Sequence, residues 1–259
     1  MALHVSVKFR CFVLLLCLQL VSVQIAVATS RPIAKPGCKD RCGNVSIPYP
    51  FGIADGCFLD EWFKVTCNDS LNPPKPVYRG LSVSNISVLD GEMTTEVGIA
   101  TNCDDQHAAD DSMTFLGKFT FSNKKNKFIA IGCNTVALHK ATNGSISGGC
   151  LSICTAKDTF TNGFCNGIGC CETRIPAAIS NLSVTVEDIN ERKNMSFNLC
   201  GYGFLVEQNS FSFSSPYLKD FKSKGTGTVP AVVDWTIGNE KCDDAIRNST
   251  SYACGPNTL

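Results

Sequence analysis

Cysteine spacing constrains this chain more than any other feature. The segment CNGIGCCETRIP at residues 165–176 places Cys165, Gly167, Gly169, Cys170 and Cys171 within a few residues of one another. Adjacent cysteines do not readily bond each other, because the ring they would close strains the peptide between them. Cys170 and Cys171 are therefore expected to reach two different, distant parts of the chain. Neighbouring side chains on an extended backbone point to opposite faces, so such a pair can tie down two layers. The segment reads as the covalent hub of an extracellular domain.

The chain's beginning supports an oxidising destination. Lys8 and Arg10 precede a mostly apolar run from Cys11 to Val27, closed by the small residues Ala26-Val27-Ala28. This is the pattern of a secretory signal peptide spanning 1–28. No later run approaches the ~20 apolar residues of a membrane-spanning helix, so the mature chain as given is expected to carry no span. Cys11 and Cys17 leave with the signal. The cysteines that remain are Cys38, Cys42, Cys57, Cys67, Cys103, Cys133, Cys150, Cys154, Cys165, Cys170, Cys171, Cys200, Cys242 and Cys254. Their even number favours disulfides over free thiols, and the sequence leaves the pairing open. Zinc is the competing use of clustered cysteines, but paired histidine spacing is lacking. No metal and no cofactor is expected.

Asn-X-Ser/Thr sequons begin at Asn44, Asn68, Asn85, Asn143, Asn181, Asn194 and Asn248. Behind a signal peptide they point to a surface-glycosylated protein. The mature chain is nearly neutral, with a net charge of about −2. It has no global field to attract nucleic acid, and any anion-binding surface must be a local patch.

The periodicity predicts a mainly β, disulfide-rich ectodomain of two β lobes with little helix. Pro48, Pro50, Pro73, Pro74 and Pro76 exclude helix from the first part. Residues 81–89 alternate with a phase shift near Asn85, which suggests a bulged strand. Residues 94–100 suggest another strand. The acidic stretch 103–113 fits a boundary between lobes. Phe115, Gly117, Phe119 and Phe121 then alternate with Leu116, Lys118, Thr120 and Ser122 as one strand. A turn at 123–127 would lead to its hairpin partner, the continuous apolar run 128–133. Further strands are predicted at 182–187, 204–213 and 233–237. Ser215-Pro216 could open a single helical turn.

CKDRCGNVSIPYPFGI, residues 38–53, resembles the opening of the galacturonan-binding domain of plant wall-associated receptor kinases. The shared landmarks are Cys38, Cys42, Gly43, Ile47, Pro48, Tyr49, Pro50, Phe51 and Gly52, followed by Cys57, Phe63 and Cys67. NKFIAIGCNT at 126–135, GCLSIC at 149–154, CNGIGCCETRIP, CGYGFLVEQNSFSFS at 200–214 and VPAVVDWTIG at 229–238 resemble the second region of the same ectodomains. The resemblance implies a galacturonan-binding cysteine-rich domain at 38–105 and a wall-associated-kinase-type β-rich domain at 112–254. Family receptors continue into a membrane span and a kinase. Kinase motifs are missing here, so kinase signalling cannot be carried over.

The function this resemblance implies is noncatalytic binding of acidic cell-wall polysaccharide, pectin or oligogalacturonides, outside the cell, in the wall or at the outer face of the plasma membrane. Each galacturonate carries a carboxylate, so a site needs cations, with aromatics to hold sugar faces. The candidate cations are Lys39, Arg41, Lys64, Lys75 and Arg79; the candidate stacking groups are Tyr49, Trp62 and Tyr78. Taken singly, each is more simply a solvated charge or a core ring. Lys39 and Arg41, held between Cys38 and Cys42, are the favoured pair. Lys124, Lys125 and Lys127 read as a solvated turn. Asp104, Asp105, Asp110 and Asp111 around His107 lack a calcium-loop spacing and read as an acidic loop, as do Asp243 and Asp244. Only His107 and His139 remain as histidines after the signal, and neither a nucleophile elbow nor an evident carboxylate pair appears, so no enzyme is expected. The alternatives are a protein- or peptide-binding ectodomain that recognises a co-receptor, and a secreted decoy of a full-length receptor.

Overall fold

The computed structural model describes residues 33–103, 111–140, 145–154, 160–189, 197–221 and 227–238. The first strands are β1 (Arg41–Cys42), β2 (Val45–Ser46), β3 (Thr66–Asn68), β4 (Lys75–Tyr78), β5 (Leu81–Ser87), β6 (Glu92–Gly98) and β7 (Ala100–Cys103). Then come β8 (Ser112–Phe115), β9 (Thr120–Phe121), β10 (Asn126–Ile131), β11 (Thr135–Lys140) and β12 (Ile146–Ser152). The last are β13 (Cys170–Thr173), β14 (Asn181–Asp188), β15 (Cys200–Glu207) and β16 (Thr228–Asp234). The described helix is confined to 3-10 turns at Glu61–Phe63 and Ser215–Leu218. The second is the turn signalled by Ser215-Pro216.

The architecture is mainly β, with its sheets gathered into lobes. One lobe carries the sheet β3-β4-β5-β6-β16-β9 and the small β1-β2 hairpin. The other carries two sheets, β13-β10-β15-β7 and β12-β11-β14-β8. These two pack on each other across Gly203 of β15. A Cβ built there would lie 2.8 Å from Ala137 Cβ and 3.0 Å from Val186 Cγ2. Spatial order departs from chain order. β7 pairs with β15, and β16 from the far end pairs with β6. The expected bulge is present, as the β5–β6 register shifts between Val83 and Asn85.

One expected hairpin is absent. Residues 115–122 do not form a single strand paired with 128–133. β8 ends at Phe115 and pairs with β14, whereas β9 pairs with β16. The chain turns at Gly117, which has φ +72°. That left-handed conformation suits a residue without Cβ. The turn rotates the alternation, so Phe115 is exposed while Leu116, Phe119 and Phe121 are buried. β10 is buried on both faces, as its unbroken apolar run requires.

Six disulfides are described: Cys38–Cys57, Cys42–Cys67, Cys103–Cys200, Cys133–Cys154, Cys150–Cys171 and Cys165–Cys170. Cys242 and Cys254 lie outside the described residues. Cys171 joins β13 to β12 and so ties the two packed sheets. Cys170 does not reach a distant segment, contrary to the sequence expectation. Gly167 and Gly169, with φ of +96° and +73°, fold the segment back on itself, and Cys170 meets Cys165 five residues away.

Candidate functional site

The first lobe is built around an aromatic cluster. Phe51 meets Phe63 edge-on at 5.2 Å and Trp235 at 5.1 Å, and Tyr78 stacks on Phe119 at 5.6 Å. Tyr78 is fully buried, and its hydroxyl donates to the Leu116 carbonyl at 3.2 Å. Burial pushes its phenol up to about 12. Its ring is therefore a core element and offers no stacking face to a sugar, which corrects the sequence reading of Tyr78.

The candidate cations fall into three environments. Lys39 is exposed. Arg41 donates to Ser46 Oγ at 3.3 Å and to the Asn44 carbonyl at 3.0 Å, which holds the guanidinium on its hairpin. Gly43 of the same hairpin abuts the Pro74 carbonyl, beside exposed Lys75. Lys64 differs, because Asp55 and Glu61 lie 3.6 and 3.7 Å from its Nζ. These two carboxylates offset its charge and weaken its claim on an anionic ligand. Among the described residues, no acid forms an ion pair with Lys39, Arg41, Lys75 or Arg79.

Arg79 occupies the third environment. β4 and β5 pair Tyr78 with Leu81, so Arg79-Gly80 is a two-residue hairpin loop. Both residues have positive φ, +48° and +87°, as a type I′ turn demands. Arginine is an unusual choice there, since a non-glycine residue in this region costs on the order of 1 kcal/mol. The turn projects the guanidinium over Trp62, 4.3 Å from the ring centroid and 5.5 Å from that of Phe115. Trp62 is set by the 3-10 turn Glu61–Phe63, where Asp60 Oδ1 accepts from the Trp62 amide at 2.8 Å. Its six-membered ring packs directly on Gly117. Lys118 Nζ lies 3.2 Å from Asp60 Oδ2 and offsets that carboxylate.

Tyr49 is half-buried, with Lys35 Nζ 5.1 Å from its ring centroid. Lys125 pairs with Glu92 at 3.5 Å; Lys127 is not a solvated turn residue but lies half-buried on β10, where it pairs with Glu172 at 3.1 Å. His139 is fully buried; its Nδ1 lies 2.7 Å from Ser147 Oγ, and burial lowers its pKa. His107 and the acidic stretch around it lie outside the described residues, apart from Asp111. Among the described residues, no three His, Cys, Asp or Glu side chains gather as a metal-binding group. No described helix is long and apolar enough to cross a membrane.

The structure thus brings Arg79 and Trp62 together and places Pro74, next to Lys75 in the chain, against the hairpin that carries Arg41. It also adds Lys35, Phe115 and Lys118, which sequence reasoning did not single out as site residues. Phe115 was hidden by an alternation that assigned it to the same face as Phe119.

Two family models match. Residues 38–97 match the wall-associated receptor kinase galacturonan-binding family, and residues 162–241 match the wall-associated kinase family. Wall-associated receptor kinase 2 of Arabidopsis thaliana is 37% identical over 215 residues, covering 79% of this chain and 28% of that protein. Wall-associated receptor kinase 5 of the same plant is 35% identical over 237 residues, covering 85% and 30%. Wall-associated receptor kinase 1 is 33% identical over 239 residues, covering 86% and 31%. The chain thus spans under a third of the length of these relatives. No solved structure matches it.

Proposed function

The chain belongs to the wall-associated receptor kinase family as a stretch of its extracellular region, and on that premise we propose that it binds de-esterified galacturonan, the acidic polysaccharide of pectin, without catalysis. The match of residues 38–97 to the galacturonan-binding family carries this reading. The physical support is the set Lys39, Arg41, Lys75 and Arg79, charged and exposed on a lobe pinned by Cys38–Cys57 and Cys42–Cys67. Cations held on a rigid backbone lose little freedom when a polyanion docks, so more of each charge-assisted hydrogen bond appears as affinity. The cation-bearing module is taken as residues 38–105, with its sheet completed by β9 and β16 from the wall-associated-kinase-type region 112–254. The protein acts outside the cell, in the wall or at the outer face of the plasma membrane.

Among the described sequons, exposed Asn44 and Asn85 are the best placed to carry glycans. Asn68 is half-buried, and its Oδ1 accepts from Ser70 Oγ at 2.6 Å.

Titrating the purified protein with oligogalacturonate tests the binding reading. Affinity is expected to fall several-fold as ionic strength rises from about 0.05 to 0.5 M, because exposed charges are screened over that range. Replacing Lys39 and Arg41 together is expected to weaken binding about tenfold, equivalent to ~1.4 kcal/mol. Salt-independent binding would overturn the electrostatic account, and unchanged affinity in the double variant would remove those two residues from the site.

A second reading, binding of a protein co-receptor, is favoured by one observation. Leu151 and Ile153, at the end of edge strand β12, are exposed beside Ile168, which bridges to Ile153. Such a patch suits an apolar partner surface.

A further inference from the structure

The family match for galacturonan binding ends at residue 97, yet the surface around Arg79 does not. Arg79 and Trp62 lie inside the matched segment, whereas Phe115, Gly117 and Lys118 lie outside both matched segments. Trp62 cannot serve as the sugar platform, because its ring is packed on Gly117 and covered by the Arg79 guanidinium. The indole instead supports the guanidinium and shields one side of it from water. The Tyr78 phenol lies within reach of the guanidinium and takes part of its hydrogen-bonding capacity, and the N–H groups that remain can grip a carboxylate. The ring left open is Phe115, 52% exposed at the end of edge strand β8. Met113, two residues earlier on the same face of that strand, is also exposed. Asp60, which caps the turn carrying Trp62, is answered by Lys118, and among the described residues no acid forms an ion pair with Arg79.

Resting on the galacturonan reading above, we propose that Arg79 and Phe115 form a composite uronate subsite. The Arg79 guanidinium takes the carboxylate of one galacturonate, and the Phe115 ring lies against the C–H face of the same or the adjoining sugar. The subsite explains an otherwise costly choice. The Arg79-Gly80 turn would be better served by asparagine at its first position, and arginine there points its charge at an aromatic pair. It also has one strict requirement. Asn181, which opens a sequon, stands directly opposite Phe115 in the β14–β8 register. A glycan there would occupy the platform, so Asn181 must be unmodified; its half-buried side chain, with Oδ1 shielded, is consistent with that.

The test is calorimetric titration of the secreted protein with oligogalacturonate, comparing wild type with R79N, R79K, F115S and F115W, each checked by thermal unfolding. R79N is expected to keep or raise the melting temperature, since Asn-Gly suits the turn, while losing about tenfold in affinity. R79K keeps the charge without the fork and is expected to lose several-fold. F115S is expected to lose several-fold with an unchanged melting temperature, and F115W to bind at least as well as wild type. If wild type binds and both R79N and F115S stay within about twofold of it, the subsite is overturned and the wider galacturonan reading stands. If wild type does not bind oligogalacturonate at all, both fall. Peptide mapping that finds a glycan on Asn181 also overturns the subsite.

Discussion

Removing the Cys103–Cys200 disulfide, with both cysteines replaced by alanine, is expected to cost about 4–5 kcal/mol of folding stability. The bond closes a loop with a sequence separation of 97 and joins residues directly opposed in the β7–β15 pair. Without it, the unfolded chain regains the freedom that the long loop denied it. Cys165–Cys170, with a separation of 5, should cost only about 2 kcal/mol on the same chain-entropy account. Urea unfolding of the two double variants checks both numbers. Equal losses would show that the chain-entropy account fails here and that local packing dominates.

The second large effect is Phe119→Ala, expected to destabilise by about 3–5 kcal/mol. Phe119 lies 5.3 Å from Phe63, 5.6 Å from Tyr78 and 6.1 Å from Phe51, centroid to centroid. It therefore joins the Pro-rich opening, the 3-10 turn and β4 into one core. The matching control is Phe115→Ala, four residues away. That ring is half exposed, and its loss should change stability by no more than about 0.5 kcal/mol. Comparable destabilisation by both variants would contradict the burial difference.

The contrast between these phenylalanines shows what the sequence could reveal. Period-2 alternation identified β14, and an unbroken apolar run identified β10, because each signal holds along its strand. The phase slip near Asn85 was visible because a bulge shifts the inward face by one residue. Alternation failed across 115–121, where Gly117 turns the chain and a period-2 pattern has no way to register a reversal in φ. The pairings β7–β15 and β16–β6 were hidden for a different reason: long-range partners leave no local trace in the sequence.

The site was legible as residue types but not as geometry. Charge and aromaticity singled out Arg79, Trp62 and Tyr78 together. Only packing separates them, with Tyr78 in the core, Trp62 beneath the guanidinium and Arg79 at the surface. Residue type alone makes Lys64 equivalent to Lys75, but Asp55 and Glu61 lie beside Lys64. The adjacent Cys170 and Cys171 were correctly expected to take different partners. The five-residue Cys165–Cys170 loop was missed because two left-handed glycines create the return.

On the proposed function, this lobe reads the carboxylates of a uronate chain. The direct measurement is competition between oligogalacturonate and its fully methyl-esterified counterpart for the purified protein at low salt. Esterification removes each negative charge while leaving the sugar backbone in place. De-esterified chains are expected to bind at least about tenfold more tightly, a difference of ~1.4 kcal/mol or more. Equal binding of the two polymers would contradict the account.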